Sequence, residues 1–356
     1  MRAAVTRIGG VAVEDVDDPV PGPGQVLVRT LACGICGSDL HAAADLRRFA
    51  RLAADAGGGM GGLDPERGVV FGHEFCAEVV EHGPGTKRTL PVGTRVCSIP
   101  VVVGPGGPEG VGYSNRFPGG LAERMVLQEA LLLPVPYELT SEVAALTEPL
   151  AVGEHAVQLA RLTGQEACLV IGCGPIGLAV VAALKARGQG PVVAADFSAP
   201  RRRLAELLGA DQVVDPAVVS PYGKWEELGV PTRQAERAAL EMLGAPVRDA
   251  VVFEAVGVPG VLQTIIRGAP PRTRVVVVGV CLEADRIEPF YAVTKELEIR
   301  FAFGYRREEF AATLDRLDRR ELPAEELVTR VVGLDDVAEA FAALSDAAQG
   351  KVLVRP

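Results

Sequence analysis

Positive charge is scarce in this sequence, and long apolar runs are missing from it. Lys and Arg together number 36 against 46 Asp and Glu, which leaves a formal net charge of −10 at pH 7. Proteins that bind nucleic acids usually carry clustered Lys and Arg residues, and the sequence shows no such cluster of any length. We therefore predict no nucleic-acid partner. No stretch approaches the roughly 18 consecutive apolar residues of a membrane-spanning helix, so we predict no membrane partner either.

Cysteine is present, but not in the pattern of a disulfide framework. Seven cysteines, an odd number, are scattered along the chain, which favours free or metal-bound thiols in a reducing compartment. Because the N-terminus also lacks the apolar core of a signal peptide, we predict a cytoplasmic location. Cys33 and Cys36 have the spacing of a redox pair, but they end a β run instead of opening a helix. Cys33 is therefore interpreted as a small buried residue.

The length of 356 residues predicts two domains, because it exceeds what one ordinary core supports. Residues 1–149 are mostly β in pattern, with strand-like runs at 26–32 and 75–81. From about residue 150, near-continuous Val, Ile and Ala runs alternate with helical segments, which indicates a parallel sheet covered on both faces. We predict an α/β fold, with a Rossmann doubly wound sheet at 150–296 and a mostly β domain formed by 1–149 and 297–356.

The motif Gly172-x-Gly174-x-x-Gly177 follows a predicted strand and opens a predicted helix, which is the context of a dinucleotide site. The first glycine permits the tight turn, the second lets the backbone approach a pyrophosphate, and the third lets helix and strand pack closely. Pro175 suits the first helical turn, whose free amides would face the pyrophosphate. A merely structural glycine turn is the alternative.

The next predicted strand ends at Asp196, where a carboxylate can accept both ribose hydroxyls and repel a 2′-phosphate. The predicted cofactor is therefore NAD rather than NADP, although Arg201 nearby could weaken that preference. The residues predicted from this part of the chain to bind the cofactor are Gly172, Gly174, Pro175, Ile176, Gly177, Asp196, Arg201, Val278 and Val280.

A second set of polar side chains has the chemistry of a metal site. Cys36 and His73 are far apart in sequence, so a site that uses both must be assembled by the fold. Zinc takes sulfur, nitrogen and oxygen ligands, and catalytic zinc sites keep one position open. Either Glu74 or Glu148 could supply the carboxylate. For His73 alone, a hydrogen-bonded core histidine is the alternative.

Three stretches, 34–41, 72–74 and 148–153, resemble the zinc-dependent medium-chain alcohol dehydrogenases. The resemblance runs essentially end to end and is strongest to the group of sorbitol, threonine and butanediol dehydrogenases. It implies a GroES-like first domain, a homodimer or homotetramer, and zinc bound by Cys36 and His73. Glu74 and Glu148 would bind zinc directly or through water.

The resemblance also implies roles for further residues. Asp39 would orient the histidine ligand by a hydrogen bond. Ser38 would accept the proton of the alcohol, and His41 would end a relay through the nicotinamide ribose; a plain turn residue is the alternative for Ser38. Lys351 would reach the cofactor pyrophosphate when the domains close, unless it is a solvated surface lysine. The residues predicted to be catalytic are Cys36, Ser38, His41, His73 and Glu74.

The implied reaction is hydride transfer between a secondary alcohol, polyol or sugar and NAD, which gives a ketone or an aldehyde. A zinc-free enone or quinone reductase of the same superfamily and an NAD-binding protein without turnover are the alternatives.

The sequence departs from the family pattern in two places. Many members hold a second, structural zinc with four closely spaced cysteines, but here that region contains only Cys97, and the next cysteine is Cys168. We therefore predict one catalytic zinc per subunit.

The second departure is the span 45–70, which we interpret either as a lid over the substrate entrance or as a passive surface loop. It contains the glycine-rich segment 57–62. This segment and a second one, 104–120, are predicted to be loops.

Overall fold

The computed structural model describes residues 1–57, 62–344 and 349–356. The strands are β1 (Arg2–Arg7), β2 (Gly10–Asp15), β3 (Gln25–Gly34), β4 (Glu74–His82), β5 (Arg95–Ser98), β6 (Val101–Gly104), β7 (Gly107–Gly110), β8 (Arg124–Gln128), β9 (Leu132–Pro134), β10 (Ala167–Ile171), β11 (Val192–Ala195), β12 (Gln212–Val214), β13 (Ala250–Glu254), β14 (Arg274–Val277), β15 (Glu298–Phe301), β16 (Val328–Gly333) and β17 (Lys351–Arg355). The helices are α1 (Gly37–Ala44), α2 (Leu46–Asp55), α3 (Ser141–Ala145), α4 (Thr147–Leu159), α5 (Pro175–Ala186), α6 (Ala199–Leu207), α7 (Gln234–Met242), α8 (Val261–Gly268), α9 (Pro289–Thr294), α10 (Arg307–Asp318) and α11 (Val337–Ala343).

The chain divides into two units. The first contains Met1–Glu148, Phe310–Arg320 and Val328–Pro356, and the second contains Pro149–Glu309 and Glu321–Leu327. The predicted return of the chain to the first domain at residue 297 comes too early. Because β15 is the sixth strand of the sheet in the second unit, the chain stays in that unit beyond residue 296.

The first unit is built on a seven-stranded sheet in which β3 is the central strand. The strand order is β16-β17-β3-β4-β5-β9, and β8 also pairs with β3. Val26 and Val28 of β3 are fully buried, and each fully buried valine contributes on the order of 1.5–3 kcal/mol of hydrophobic stabilisation. At the end of β3, Gly34 lies opposite Glu74 of β4 and Leu353 of β17. Three distant parts of the chain therefore meet where β3 ends.

The second unit is built on a parallel six-stranded sheet with the order β12-β11-β10-β13-β14-β15. Its core is made of small and branched apolar side chains on the strands, and Trp225 is packed against them. The sequences of these strands are nearly continuous apolar runs, because both faces of a parallel sheet of this kind are covered by helices. The predicted α/β class with a doubly wound Rossmann sheet is confirmed.

The predicted loops are wrong in two places. The span 45–70 contains the helix α2, whose first residues are capped by the Asp45 side chain accepting from the Arg48 amide. The segment 104–120 contains β7, which forms an antiparallel hairpin with β6 despite its glycines and prolines. Most of the glycine cluster, residues 58–61, lies outside the described residues. Within the described ranges, no helix is long and apolar enough to cross a membrane.

Candidate active site

Three side chains with metal-binding chemistry converge at the end of β3. Cys36 caps the N-terminus of α1 just after β3, His73 directly precedes β4, and Glu74 is the first residue of β4. One ligand atom from each of the three lies within 4.8 Å of the others. His73 and Glu74 are buried and Cys36 is partly exposed, so the cluster is lined by protein and open on the thiol side.

Two glycines make room for this convergence. A Cβ atom on Gly34 would lie 2.1 Å from Oε2 of Glu74, so only glycine lets the carboxylate sit beside β3. Gly72 has a φ of +105°, and a Cβ there would lie 2.7 Å from Sγ of Cys33. Cys33 is fully buried, and burial raises the pKa of its thiol well above the ordinary value. This agrees with its interpretation as a packing residue.

Glu74 is held by a buried lysine that is 277 positions away in sequence. Nζ of Lys351 lies 2.7 Å from both carboxylate oxygens of Glu74 and 3.3 Å from the carbonyl oxygen of Ile35. Burial alone lowers the pKa of Lys351, but the attraction of Glu74 outweighs it and raises that pKa above the ordinary value. The contact of Lys351 with a cofactor pyrophosphate stays a prediction, since the structure gives this ammonium group a partner inside the first unit.

His73 faces a second buried carboxylate. Its Nδ1 lies 3.5 Å from Oδ1 of Asp39 and, within the described part of the chain, makes no hydrogen bond. The other oxygen of Asp39 accepts from the backbone amide of Cys36 at 3.0 Å. Burial alone lowers the pKa of His73, but Asp39 and Cys36 outweigh it and raise that pKa well above its ordinary value. The pocket around this imidazole therefore stabilises positive charge.

These donors fit a zinc ion. Sulfur, nitrogen and oxygen ligands come from Cys36, His73 and Glu74, and the surrounding field favours a cation. Glu148, near the start of α4, is buried but is not part of the cluster. Its charge still contributes to the raised pKa of Lys351, so it lies close to the same centre.

The sequence analysis missed Tyr113, which lies beside the cluster. Its hydroxyl is 2.7 Å from Oγ of Ser38 and 3.2 Å from Oδ1 of Asp39, and its ring centroid is 5.1 Å from that of His73. The only hint in the sequence was its position in the glycine-rich segment 104–120. His41 lies on α1 one turn beyond Ser38 and is exposed.

In the second unit the glycine motif lies between β10 and α5. Gly172 has a φ of +92°, and a Cβ on Gly177 would lie 1.8 Å from the Gly172 carbonyl oxygen, so both positions require glycine. Gly174 caps α5, Pro175 is its first residue, and a Cβ on Gly174 would meet no atom within 4 Å. The free amides of this helix start therefore face an open approach, as a pyrophosphate requires.

Asp196 follows β11 beside this motif. Its carboxylate accepts hydrogen bonds from the backbone amides of Cys173 and Ser198, both at 2.7 Å. The side chain is thereby fixed at the edge of the glycine turn. Arg201 lies in the first turn of α6, where its amide bonds to the Ser198 hydroxyl. Of the remaining predicted cofactor contacts, Ile176 is partly exposed, Val278 is buried and Val280 is exposed.

Comparison with known proteins identifies the family. The model of the alcohol dehydrogenase GroES-like domain matches residues 22–137, and that of the zinc-binding dehydrogenase matches residues 175–319. The (R,R)-butanediol dehydrogenase of Bacillus subtilis is 34% identical over 356 residues, which cover 97% of this chain and 96% of that protein. The chain belongs to the zinc-dependent medium-chain alcohol dehydrogenase family. The predicted resemblance and the GroES-like first domain are thus confirmed.

Other members of the family are also similar to this chain. Human sorbitol dehydrogenase is 28% identical over 350 residues, which cover 94% of this chain and 89% of that protein. The crystal structure of 2R,3R-butanediol dehydrogenase from Bacillus subtilis matches with a TM-score of 0.79 and 32% identity, covering 100% and 99% of the two chains. As a medium-chain alcohol dehydrogenase, this protein is an oxidoreductase, and the predicted enzyme class is confirmed.

Proposed function

We propose that this enzyme is a dehydrogenase of secondary alcohols or polyols that uses NAD and one zinc ion. The observation that carries the proposal is the cluster of Cys36, His73 and Glu74 with Ser38 beside it. The relatives named above act on butanediol and sorbitol, which are a diol and a polyol with secondary hydroxyl groups. A zinc-free enone or quinone reductase would have no use for such a cluster.

Different residues of the chain would have different roles in the reaction. Zinc bound by Cys36, His73 and Glu74 would lower the pKa of an alcohol hydroxyl so that its proton leaves near neutral pH. Ser38 accepts that proton, and His41 delivers it to solvent at the end of the relay. Asp39 orients His73 and keeps the Cys36 amide in place. The glycine motif before α5 and Asp196 would hold the nicotinamide cofactor, which would supply the acceptor for the hydride.

One zinc per chain is supported by the arrangement of the cysteines. Among the described residues, Cys36, His73 and Glu74 form the one group with metal-ligand spacing. Cys97, the single cysteine in the region where many family members hold a structural zinc, is fully buried, and its thiol donates a hydrogen bond to the carbonyl oxygen of Ala144 at 3.1 Å. All seven cysteines are free thiols, which supports the proposal of a cytoplasmic location.

The preference for NAD rests on Asp196. Its carboxylate is fixed by two backbone amides at the edge of the glycine turn, where it can accept ribose hydroxyls and repel a 2′-phosphate. A similar solved structure, of a protein from Sinorhizobium meliloti 1021, is bound to NADP; it has 26% identity and a TM-score of 0.81. The two cofactors must therefore be compared directly.

Oligomerisation through the second unit is the remaining part of the proposal. β15 is the last strand of the six-stranded sheet, and Phe301 on it is 72% exposed. Phe290 and Val293 of α9 are exposed to a similar extent. Unpaired edge strands are templates for pairing with another chain, so we propose a homodimer or homotetramer. Light scattering of the wild type and of Phe301→Lys would test this, and a monomeric wild type would refute it.

The proposed function is tested by joining metal analysis to a substrate panel. We expect one zinc per chain and NADH formation from at least one of 2,3-butanediol, sorbitol and isopropanol. Cys36→Ser should lose zinc and activity together, while NAD binding persists. Cys281→Ser is the matched control, because that thiol is exposed and lies in the second unit. Full turnover in Cys36→Ser, or no oxidation of any alcohol by the wild type, would refute the proposal.

A further inference from the structure

Glu254, the last residue of β13, has a buried carboxylate that the proposed mechanism leaves unused. Three carboxylates of the second unit are buried among the described residues: Glu154, Glu166 and Glu254. Glu154 pairs with Arg187, and Glu166 pairs with Arg274. Glu254 is only 3% exposed and forms no ion pair with any described residue. Because burying a charge without a counter-charge is costly, this carboxylate calls for a physical explanation.

Backbone amides fix the side chain of Glu254 without neutralising it. Its Oε1 accepts hydrogen bonds from the amides of Val256 at 2.7 Å and of Gly257 at 2.8 Å. Its Oε2 makes no hydrogen bond within the described ranges, and a Cβ on Gly279 would lie 2.7 Å from it. Amide donors stabilise a carboxylate anion through hydrogen bonds, but they carry no net charge. The negative charge of Glu254 therefore remains available to a ligand nearby.

Glu254 lies where a dinucleotide is expected to cross the sheet. The strand order β12-β11-β10-β13-β14-β15 reverses between β10 and β13, and dinucleotides bind at such a reversal, outside the carboxyl ends of the strands. Glu254 lies opposite Ile171, the last residue of β10, which Gly172 follows. A Cβ on Gly172 would lie 2.7 Å from Cγ2 of Val256. The turn that Glu254 holds therefore packs against the glycine motif.

The two sides of this reversal would hold different halves of the cofactor. Asp196, after β11, is the proposed partner of the adenosine ribose, so the adenosine half would lie on the side of β11. The side of β13 and β14 is left for the nicotinamide half. There the carbonyl oxygen of Glu254 accepts hydrogen bonds from the amides of Val278 and Gly279, both at 2.9 Å, and Val278 is a predicted cofactor contact. The unpaired carboxylate thus lies on the nicotinamide side.

We propose that the Glu254 carboxylate sets the relative affinity of the enzyme for the two redox states of its cofactor, in favour of NAD over NADH. The inference rests on the proposed function and deepens it. The nicotinamide ring is positively charged in NAD and neutral in NADH, and protein charges close to the ring act on that difference. A buried carboxylate without a cation attracts the oxidised ring and gives the reduced ring no such attraction. It therefore favours the release of NADH after an alcohol has been oxidised.

The test compares Glu254→Gln with the wild type in the full-length, zinc-loaded enzyme. Glutamine keeps the size of the side chain and an oxygen for the two amides, but it removes the charge. We expect the ratio of the dissociation constant of NAD to that of NADH, measured by calorimetry, to rise about fivefold, as a modest charge–charge attraction inside a protein implies. The dissociation constant of ADP-ribose, which lacks the nicotinamide, should stay at its wild-type value. Glu227→Gln is the matched control, because Glu227 is 58% exposed.

A shorter carboxylate separates the charge of Glu254 from its support of the turn. Glu254→Asp keeps the charge, so the ratio for NAD and NADH should stay near the wild-type ratio even if all three ligands bind more weakly. An unchanged ratio in Glu254→Gln would overturn the inference, as would equal changes of the ratio in Glu254→Gln and Glu254→Asp. A wild type that binds both cofactors but oxidises no alcohol would refute the proposed function, while the ratios still decide the inference. A wild type that binds neither cofactor would refute both.

Discussion

The buried pair of Lys351 and Glu74 gives the strongest quantitative prediction. The two side chains are 2% and 0% exposed, and both carboxylate oxygens lie 2.7 Å from the ammonium nitrogen. Replacing Lys351 with Met keeps most of the volume of the side chain but removes the charge. Glu74 would then be a buried carboxylate without its cation. We expect the metal-free protein to lose about 3–5 kcal/mol of stability, because breaking a buried ion pair strands the remaining charge.

Zinc should reduce this loss. Glu74 belongs to the predicted ligand set, and a metal cation beside it would compensate for part of the missing ammonium charge. The destabilisation of Lys351→Met should therefore be smaller in zinc-loaded protein than after chelation. The measurement is urea unfolding followed by far-ultraviolet circular dichroism, with and without chelator.

A surface lysine supplies the matched control for this experiment. Lys224 pairs with Glu227, which is 58% exposed, so Lys224→Met should cost no more than about 1 kcal/mol. If Lys351→Met proves as mild as Lys224→Met, the argument from burial is refuted. The dissociation constant for NAD, measured on the same variants, tests the predicted pyrophosphate contact. Unchanged affinity in Lys351→Met would mean that this lysine acts on Glu74 alone.

Three further outcomes follow from the charged groups. Asp196→Ala should reduce the ratio of kcat/KM with NAD to that with NADP by about tenfold, since it removes a ribose acceptor and a repulsive charge; an unchanged ratio would contradict this. Burial alone raises the pKa of Glu166, but Arg274 and the Thr163 amide lower it to about 2. The contacts of the Glu166 carboxylate therefore stabilise the folded protein above pH 4.5, and this contribution is lost as the pH falls towards 2. Urea unfolding of Glu166→Gln across this range should show a weaker pH dependence than the wild type. Because the pKa of His73 is raised and zinc binds the neutral imidazole, zinc affinity should fall as the pH is lowered, which metal titrations at several pH values would record; an affinity independent of pH would contradict this.

Much of the fold could be predicted from the sequence because its signals are local. The strand-like runs predicted at 26–32 and 75–81 lie within β3 and β4, and the helix predicted to open at the glycine motif begins at Pro175. Apolar runs, a glycine turn and a proline at the first helical position act over a few residues, so they can be read without the partner segments. The helix α2 was missed because the adjacent glycine cluster dominated the interpretation of that span.

The site was predictable only in part. Cys36, His73 and Glu74 lie in short motifs whose residue types already indicate a metal site, and the structure brings them together. No motif in the sequence marked Tyr113 as part of the site, because its position there depends on which buried groups surround it. Lys351 was assigned to the cofactor, whereas among the described residues its ammonium group forms an ion pair with Glu74.

The sequence by itself determined which chemical groups this enzyme has: a cysteine, a histidine and a glutamate with metal-binding chemistry, the Ser38 hydroxyl, and a glycine turn of the dinucleotide-binding type. Each of them lies in a short motif that can be recognised without its partners. The tertiary structure alone decided their partners. β17 lies beside β3, and this pairing brings Lys351 to Glu74 across 277 positions. The segment after β7 brings Tyr113 to Ser38 across 75 positions. Hydrogen bonds and buried charges depend on distances of a few ångströms, and contacts between remote segments are set by how strands pair and pack, which no local pattern records.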